Sequence, residues 1–291
     1  MVDLKRTGAG STRLAPTPSG FLHMGNAINF LLTEKLARAL GWNVRLRIDD
    51  LDAERVRPNY VEDIFRSLEW LGITWDEGPS GPADHYASWS QQLRLARYGE
   101  LVEALHHGGH LYGCTCTRSQ LRTVATDGRY PGTCREAGQT IDDPDSTWRL
   151  RIPEGTIVRV NTLQGEVLEV DLALTMGDPV VRHRMSGQAS GRVSYQIASL
   201  ADDLDFGITH IVRGADLLPS TACQLHLAKL VGLKSFEAVS FHHHDLVLGP
   251  TGDKLSKTEG ATSLSSLRAR GVSTKVLHRQ ADTLVEKLLN S

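Results

Sequence analysis

Long apolar runs are missing from this 291-residue chain. No stretch approaches the roughly 20 apolar residues of a membrane span, and Met1 to Thr12 is short and polar, without the apolar core of a secretory signal. Both absences lead us to expect a cytoplasmic protein with no membrane partner. Net charge is nearly absent as well: 32 basic side chains face 34 acidic ones, so no global field draws the protein to a polyanion, and any contact with RNA must come from a local patch. Repeats and low-complexity tracts are lacking. Cysteine is scarce, and three of the four residues (Cys114, Cys116, Cys134) fall in one short segment while Cys223 stands alone. In a cytosolic chain that clustering argues against a disulfide framework and for a metal. What remains is the composition of an ordinary globular enzyme, 40% apolar, long enough for one large domain with an insertion or two closely packed lobes.

The pattern along the chain opens with a βαβ unit. Arg13 to Ala15 ends a short strand, Pro16-Thr17-Pro18-Ser19-Gly20 punctuates it, and Ile28, Leu32, Leu36 and Leu40 recur at helical spacing until Gly41. Val44, Leu46 and Ile48 then alternate with Arg45 and Arg47, a second strand that delivers Asp49, Asp50 and Asp52 at its carboxyl end. Parallel strands joined by such crossovers predict a doubly wound sheet with its ligands beyond the carboxyl ends of the strands. Asn59 is expected to cap a helix carrying Val61, Ile64, Leu68 and Leu71, and another helix is expected from Ser90 to Leu105. From about Tyr112 to Met176 the texture changes to the cysteines and to alternating stretches, Trp148 to Ile152 and Thr156 to Leu172, that read as antiparallel strands in an insertion. The parallel pattern returns at Ile211-Val212-Arg213 and the helix with Leu225, Leu227 and Leu230. The stretch after Lys257 is too short for another large domain.

Two constellations carry chemistry. In the first, His23-Met-Gly25-Asn26 sits where a strand turns into a helix, whose N-terminal N–H groups and partial positive charge suit a nucleotide phosphate. Gly25 admits close backbone approach, and His23 can donate to phosphate oxygens as charge shifts. In the second, Lys254 and Lys257 in Gly-Asp-Lys-Leu-Ser-Lys-Thr can swing onto a triphosphate and meet the charge of leaving pyrophosphate. A guanidinium grips a carboxylate with two parallel hydrogen bonds, which makes Arg13 and Arg213 partners for a dicarboxylic amino acid.

In their order the two constellations resemble the "HIGH" and "KMSKS" signatures of class I aminoacyl-tRNA synthetases. Arg13-x-Ala-Pro-Thr-Pro-Ser-Gly, Leu46-Arg-Ile-Asp-Asp-Leu-Asp, Trp70-Leu-Gly-Ile-Thr-Trp-Asp-Glu-Gly-Pro and Ile211-Val-Arg-Gly-Ala-Asp narrow the resemblance to the glutamyl subgroup, over about residues 13 to 260. The short chain and the cysteine segment are similar to its truncated glutamyl-Q tRNA(Asp) paralogues. The resemblance implies an α/β fold, a Rossmann-like doubly wound parallel sheet of the class I synthetase type. Its catalytic halves would lie at 1–111 and 177–245, a zinc-binding, antiparallel-strand insertion at 112–176, and the lysine loop and a short helical C-terminal segment at 246–291. A separate anticodon-binding domain is not expected, and a monomer is.

The implied reaction is activation of L-glutamate by ATP with Mg2+, giving glutamyl-adenylate and pyrophosphate. Transfer of the glutamyl group to the queuosine base of tRNA(Asp) follows. The rival readings are a paralogue that activates glutamate or a related amino acid for a different acceptor, and a catalytically silent, synthetase-like RNA-binding module. Carried over by motif, Arg13, Ala15, Thr17, Asp49, Tyr195 and Arg213 would hold glutamate. His23, Gly25, Asn26 and Lys257 would hold ATP, with His23, Lys254 and Lys257 catalytic. One structural zinc would be held by Cys114, Cys116, Tyr130 and Cys134, although His110 or a water could supply the fourth ligand. Three positions depart from the pattern: Asn26 stands where many class I enzymes have histidine, Thr258 follows Ser-Lys, and Asp49 replaces the glutamate expected to meet the substrate ammonium. His242, His243 and His244 alternate faces along a strand, cannot converge on one ion, and read as a wall of the active site.

Overall fold

The computed structural model describes residues 10–117, 119–121, 129–186, 191–245 and 263–290. Lys254 and Lys257 lie outside them. The opening unit consists of β1 (Ser11–Leu14), α1 (Met24–Leu40) and β2 (Asn43–Leu46), with β1 and β2 parallel and Arg13 opposite Arg45. Gly41 ends α1 at φ 72°, a left-handed conformation that costs glycine little, and its N–H returns to Ala37 O. The following helix, α2 (Pro58–Trp70), is capped at Arg57 and not at Asn59, because Pro58 takes the first helical position, where a missing N–H costs nothing and φ is preset. Gln91–Arg94 form a tight turn capped by Ser90, which continues into α3 (Leu95–His107).

Five strands follow: β3 (Leu111–Cys114), β4 (Thr147–Leu150), β5 (Ile157–Asn161), β6 (Val167–Asp171) and β7 (Val180–Arg182). They pair antiparallel as β3-β4-β7 and β5-β6, so the antiparallel pairing reaches Arg182, past residue 176. The chain then runs through α4 (Tyr195–Asp205), β8 (His210–Gly214), α5 (Leu218–Leu230), β9 (Ser240–His244), α6 (Leu264–Ala269) and α7 (Lys275–Asn290). β8 and β9 are parallel. The Thr209 N–H donates to Ser11 O at 2.9 Å and Arg13 Nη1 reaches Val212 O, which brings β8 beside β1.

Helices cover both faces of these parallel strands. Ile211 packs into a core built with α3, α4 and α5, whereas its neighbour Val212 packs into one built with α1, α2 and α7. A strand buried on both sides needs the unbroken Ile-Val run seen here, because successive side chains point to opposite faces.

Burial also leaves several histidines neutral. It pushes His210, stacked on Trp42 at 3.9 Å, down to about 4; His242 likewise to about 4; and His243 to about 3, where Arg213 adds to the effect of burial. Their folded values lie below the unfolded one, so the stability they carry is complete above pH 6.5 and is lost as pH falls toward about 4. Each histidine contributes up to about 1.4 kcal/mol per pH unit within that window. The urea midpoint is therefore expected to drop between pH 7 and pH 5. An unchanged midpoint would mean that these rings are solvated in the folded protein.

Candidate active site

The carboxyl ends of β1 and β2 and the buried face of α4 bring Arg13, Arg47, Asp49, Asp202 and Asp203 into one buried network, with Arg213 of β8 within electrostatic reach of Asp203. Arg13 Nε donates to Asp203 Oδ1 at 3.1 Å, and Arg47 Nη1 donates to the same oxygen at 2.6 Å. Arg47 also grips Asp49 side-on, Nε to Oδ1 at 2.6 Å and Nη2 to Oδ2 at 3.2 Å, while its Nη2 reaches Ser199 Oγ. Gln91 Nε2 donates to Asp202 Oδ2 at 2.8 Å and lies 3.5 Å from Asp49 Oδ1. Burial pushes the Asp203 carboxyl up, but Arg47, Arg13 and Arg213 outweigh it and hold it below the ordinary carboxylate range. For Asp49 burial wins over Arg47, and its carboxyl is raised.

Arg213 stands apart. It is 2% exposed and its Nη1 donates to Gln224 Oε1 at 3.1 Å, but Nε and Nη2 have no hydrogen-bond partner among the described residues. Burial lowers it to about 10, against the pull of Tyr195, which lies within electrostatic reach. Next to this network opens a cleft of about 400 Å³ whose lining includes Thr17, Asp49, Gln91, Arg192 and Tyr195. Thr17, Asp49 and Tyr195 thus meet on one cleft, with Arg47 joining Asp49 to Asp203 and Arg13 meeting the same Asp203. Ala15 lies in the loop leading from β1 to Thr17 and is half-buried.

At the start of α1, His23 is the N-cap. Its Nδ1 accepts from the Asn26 N–H at 3.4 Å, and Asn26 Oδ1 accepts from the His23 N–H at 3.0 Å, a reciprocal capping box. An accepting Nδ1 leaves the ring proton on Nε2, which is therefore a donor. A Cβ at residue 25 would lie 3.0 Å from the His23 ring, tighter than ordinary contact, so glycine lets the ring sit there without shifting. Burial lowers the His23 value, keeping the ring neutral near pH 7. Ser263 forms a β-bridge with His23 and the Leu264 N–H donates to Leu22 O at 2.7 Å, so the chain beyond the lysine segment returns to this helix start. The histidine run on β9 splits as its alternation requires: His243 Nε2 meets Thr221 Oγ1 at 2.8 Å and His244 Nε2 meets Asn29 Oδ1 at 3.1 Å.

At and beyond the end of β3, the sulfurs of Cys114, Cys116 and Cys134 lie within 4.8 Å of one another. The Tyr130 hydroxyl is 3.3 Å from Cys114 Sγ and accepts from the Cys134 N–H at 2.8 Å. The Arg149 guanidinium lies 3.7 Å over the Tyr130 ring. This three-cysteine cluster can hold a metal ion, and Tyr130 faces it.

The family model for the catalytic domain of class I tRNA synthetases (E and Q) matches residues 11–281. The chain belongs to that family. It is a ligase of the aminoacyl-tRNA synthetase type with the class I catalytic-domain fold. The glutamyl-Q tRNA(Asp) synthetase of Nitratidesulfovibrio vulgaris is 37% identical over 283 residues, covering 89% of this chain and 81% of that protein. The protein of the same name from Pseudomonas paraeruginosa is 38% identical over 265 residues, covering 91% and 83%. The glutamate-tRNA synthetase structure from Elizabethkingia anophelis superposes with a TM-score of 0.68 at 26% identity over 90% of this chain, which spans only 54% of that one.

Two residues of this class I site escape a reading of the sequence. Arg47, just past β2, continues what alternation marks as its polar face, yet it is 3% exposed and joins Asp49 to Asp203. Gln91 falls in the turn before α3 and ties that turn to Asp202. A signal for both exists in the adjacent Asp202-Asp203 pair within the apolar stretch of α4. Paired acids inside a buried helix demand cationic and amide partners from elsewhere in the chain.

Proposed function

We propose that this class I synthetase activates L-glutamate with ATP and transfers it to the queuosine base of tRNA(Asp). The observation that carries the amino-acid assignment is Arg213, a buried guanidinium with two N–H donors unpartnered among the described residues, within electrostatic reach of Tyr195, which lines the same cleft as Asp49. Buried donors that the protein leaves without partners call for a ligand, an ion or water to complete them, and on a guanidinium an anion answers both the donors and the charge. Arg213, with Arg13 behind it, receives the side-chain carboxylate; Asp49 meets the α-ammonium; Ala15, Thr17 and Tyr195 shape the cleft. An oxygen of the glutamate α-carboxylate attacks the α-phosphorus of ATP, whose Mg2+ arrives with it, and the bond to pyrophosphate breaks. The N-terminus of α1 with His23, Gly25 and Asn26 faces the phosphates, and Lys254 and Lys257 meet the charge on the departing pyrophosphate.

The acceptor assignment draws on the names of the relatives at 37–38% identity. Labelled glutamate offered to bulk tRNA from queuosine-making and queuosine-deficient cells tests it. Labelling confined to queuosine-containing tRNA is expected, whereas equal labelling of both would move the acceptor elsewhere.

Asp49→Asn keeps the side-chain shape and removes the charge, so the glutamate KM should rise about tenfold or more while that for ATP stays nearly constant. Asp49→Glu carries the carboxylate one methylene further into the cleft and should lower the glutamate KM. Both are measured by pyrophosphate exchange, and equal effects on the two substrates would remove Asp49 from amino-acid binding.

Zinc fits the cysteine cluster. Zn–S bonds of about 2.3 Å in a tetrahedron put sulfurs about 3.8 Å apart, and the Cys116 and Cys134 sulfurs stand 3.4 Å apart with the third within 4.8 Å. Cys114, Cys116, Cys134 and the Tyr130 hydroxyl would form a closed shell, which makes the ion structural. We expect near-stoichiometric zinc by elemental analysis of protein purified without chelator, and its loss together with looser proteolytic protection of residues 112–176 in Cys114→Ser. A fully protected, fully active metal-free preparation would refute the site.

A further inference from the structure

Three arginines of the site are buried, but they are partnered in two different ways. Arg13 and Arg47 each contact carboxylates, sharing Asp203 Oδ1, with Arg47 also gripping Asp49. Arg213 contacts an amide, Gln224 Oε1, and makes no ion pair among the described residues. Gln224 is itself fully buried on α5, and its Nε2 has no hydrogen-bond partner among the described residues. One turn earlier on the same helix, Thr221 Oγ1 meets His243 Nε2 at 2.8 Å, which fastens α5 to β9, the strand next to that of Arg213. The helix position that orients Arg213 is therefore rigidly held.

A neutral acceptor and a charged one would orient a guanidinium equally well, yet they differ in what they leave behind. A buried carboxylate would neutralise Arg213 and compete with any incoming anion for its donors. An amide oxygen accepts one hydrogen bond, fixes the plane of the guanidinium and leaves the positive charge in place. We propose that Gln224 is a specificity-determining positioning residue, orienting Arg213 through a neutral acceptor so that its charge and its two unpartnered donors remain available to a substrate carboxylate. This rests on the reading that Arg213 receives the side-chain carboxylate of glutamate. The unfavourable burial felt by Arg213 agrees with it, since Arg13 and Arg47 carry their counter-charges in contact and Arg213 does not.

Three variants, Gln224→Glu, Gln224→Met and Arg213→Met, are compared by pyrophosphate exchange and thermal unfolding. Gln224→Glu preserves shape and hydrogen bond but supplies a competing charge, so the glutamate KM should rise about 10- to 100-fold. The KM for ATP and the kcat at saturating glutamate should change little, and Tm should hold or rise. Gln224→Met removes the acceptor without adding charge and should raise the glutamate KM by a smaller factor. A purely structural Gln224 predicts the reverse, with Gln224→Glu tolerated and Gln224→Met the more damaging change. That reversed order, in the presence of a large effect from Arg213→Met, would overturn the proposal and leave the reading of Arg213 intact. A glutamate KM untouched by Arg213→Met would overturn both.

Discussion

Replacing Arg213 with methionine should raise the KM for glutamate by roughly 100-fold or more, because losing one partner of a buried, hydrogen-bonded charge pair costs about 2–5 kcal/mol. The KM for ATP should stay within a few-fold, since the proposed phosphate site is the start of α1 and not the end of β8. Stability should move the other way. In the free protein Arg213 is a buried cation with two unpartnered donors and an amide in place of a counter-ion, so a methionine of similar length relieves a desolvation cost. Activity lost while Tm is held or raised distinguishes a residue kept for its ligand from one kept for packing. Pyrophosphate exchange and thermal unfolding of the same preparation check this. A fall in Tm with an unchanged glutamate KM would assign Arg213 to structure.

The second large effect concerns His23, the cap of α1 and, in the proposed reaction, also a catalytic donor. Asparagine is among the best N-caps, so His23→Asn preserves the start of α1 while deleting the Nε2 donor. The turnover of adenylate formation is expected to fall by about two orders of magnitude, the scale of removing one preorganised donor, with Tm nearly constant. His23→Ala should show the same loss of turnover plus about 1 kcal/mol of stability from the missing cap. Because burial keeps the ring neutral, the acid limb of the wild-type profile due to this group should lie below the usual histidine value of 6.5. Turnover in His23→Asn close to wild type would reduce this residue to a helix cap.

Much of the framework was legible because its causes are local. The β1–α1–β2 unit announces itself through helical spacing from Ile28 to Leu40, a glycine where the chain turns left-handed, and alternation in the next strand. The cysteine segment is equally local, and the structure gathers its three sulfurs. The cap of α2 went to Arg57 because the proline after it outranks Asn59 for the first turn. What stayed hidden depends on partners far away in the sequence. Arg47 is read as solvent-facing from its neighbours, and only Asp203, 156 residues further on, explains its burial. Gln224 gives no signal at all as a polar residue in an apolar helix until Arg213 is seen beside it. Arg13 is legible as a carboxylate partner, but its Nε is engaged by Asp203 inside the protein, a contact no motif displays.

The central claim is that the site built around Arg213, Asp49 and His23 forms glutamyl-adenylate without help from RNA. Exchange of labelled pyrophosphate into ATP, surveyed over the twenty amino acids with and without bulk tRNA, tests it most directly. The account predicts exchange with glutamate alone, undiminished when tRNA is omitted. Exchange that strictly requires tRNA, or that another amino acid supports better than glutamate, would contradict it.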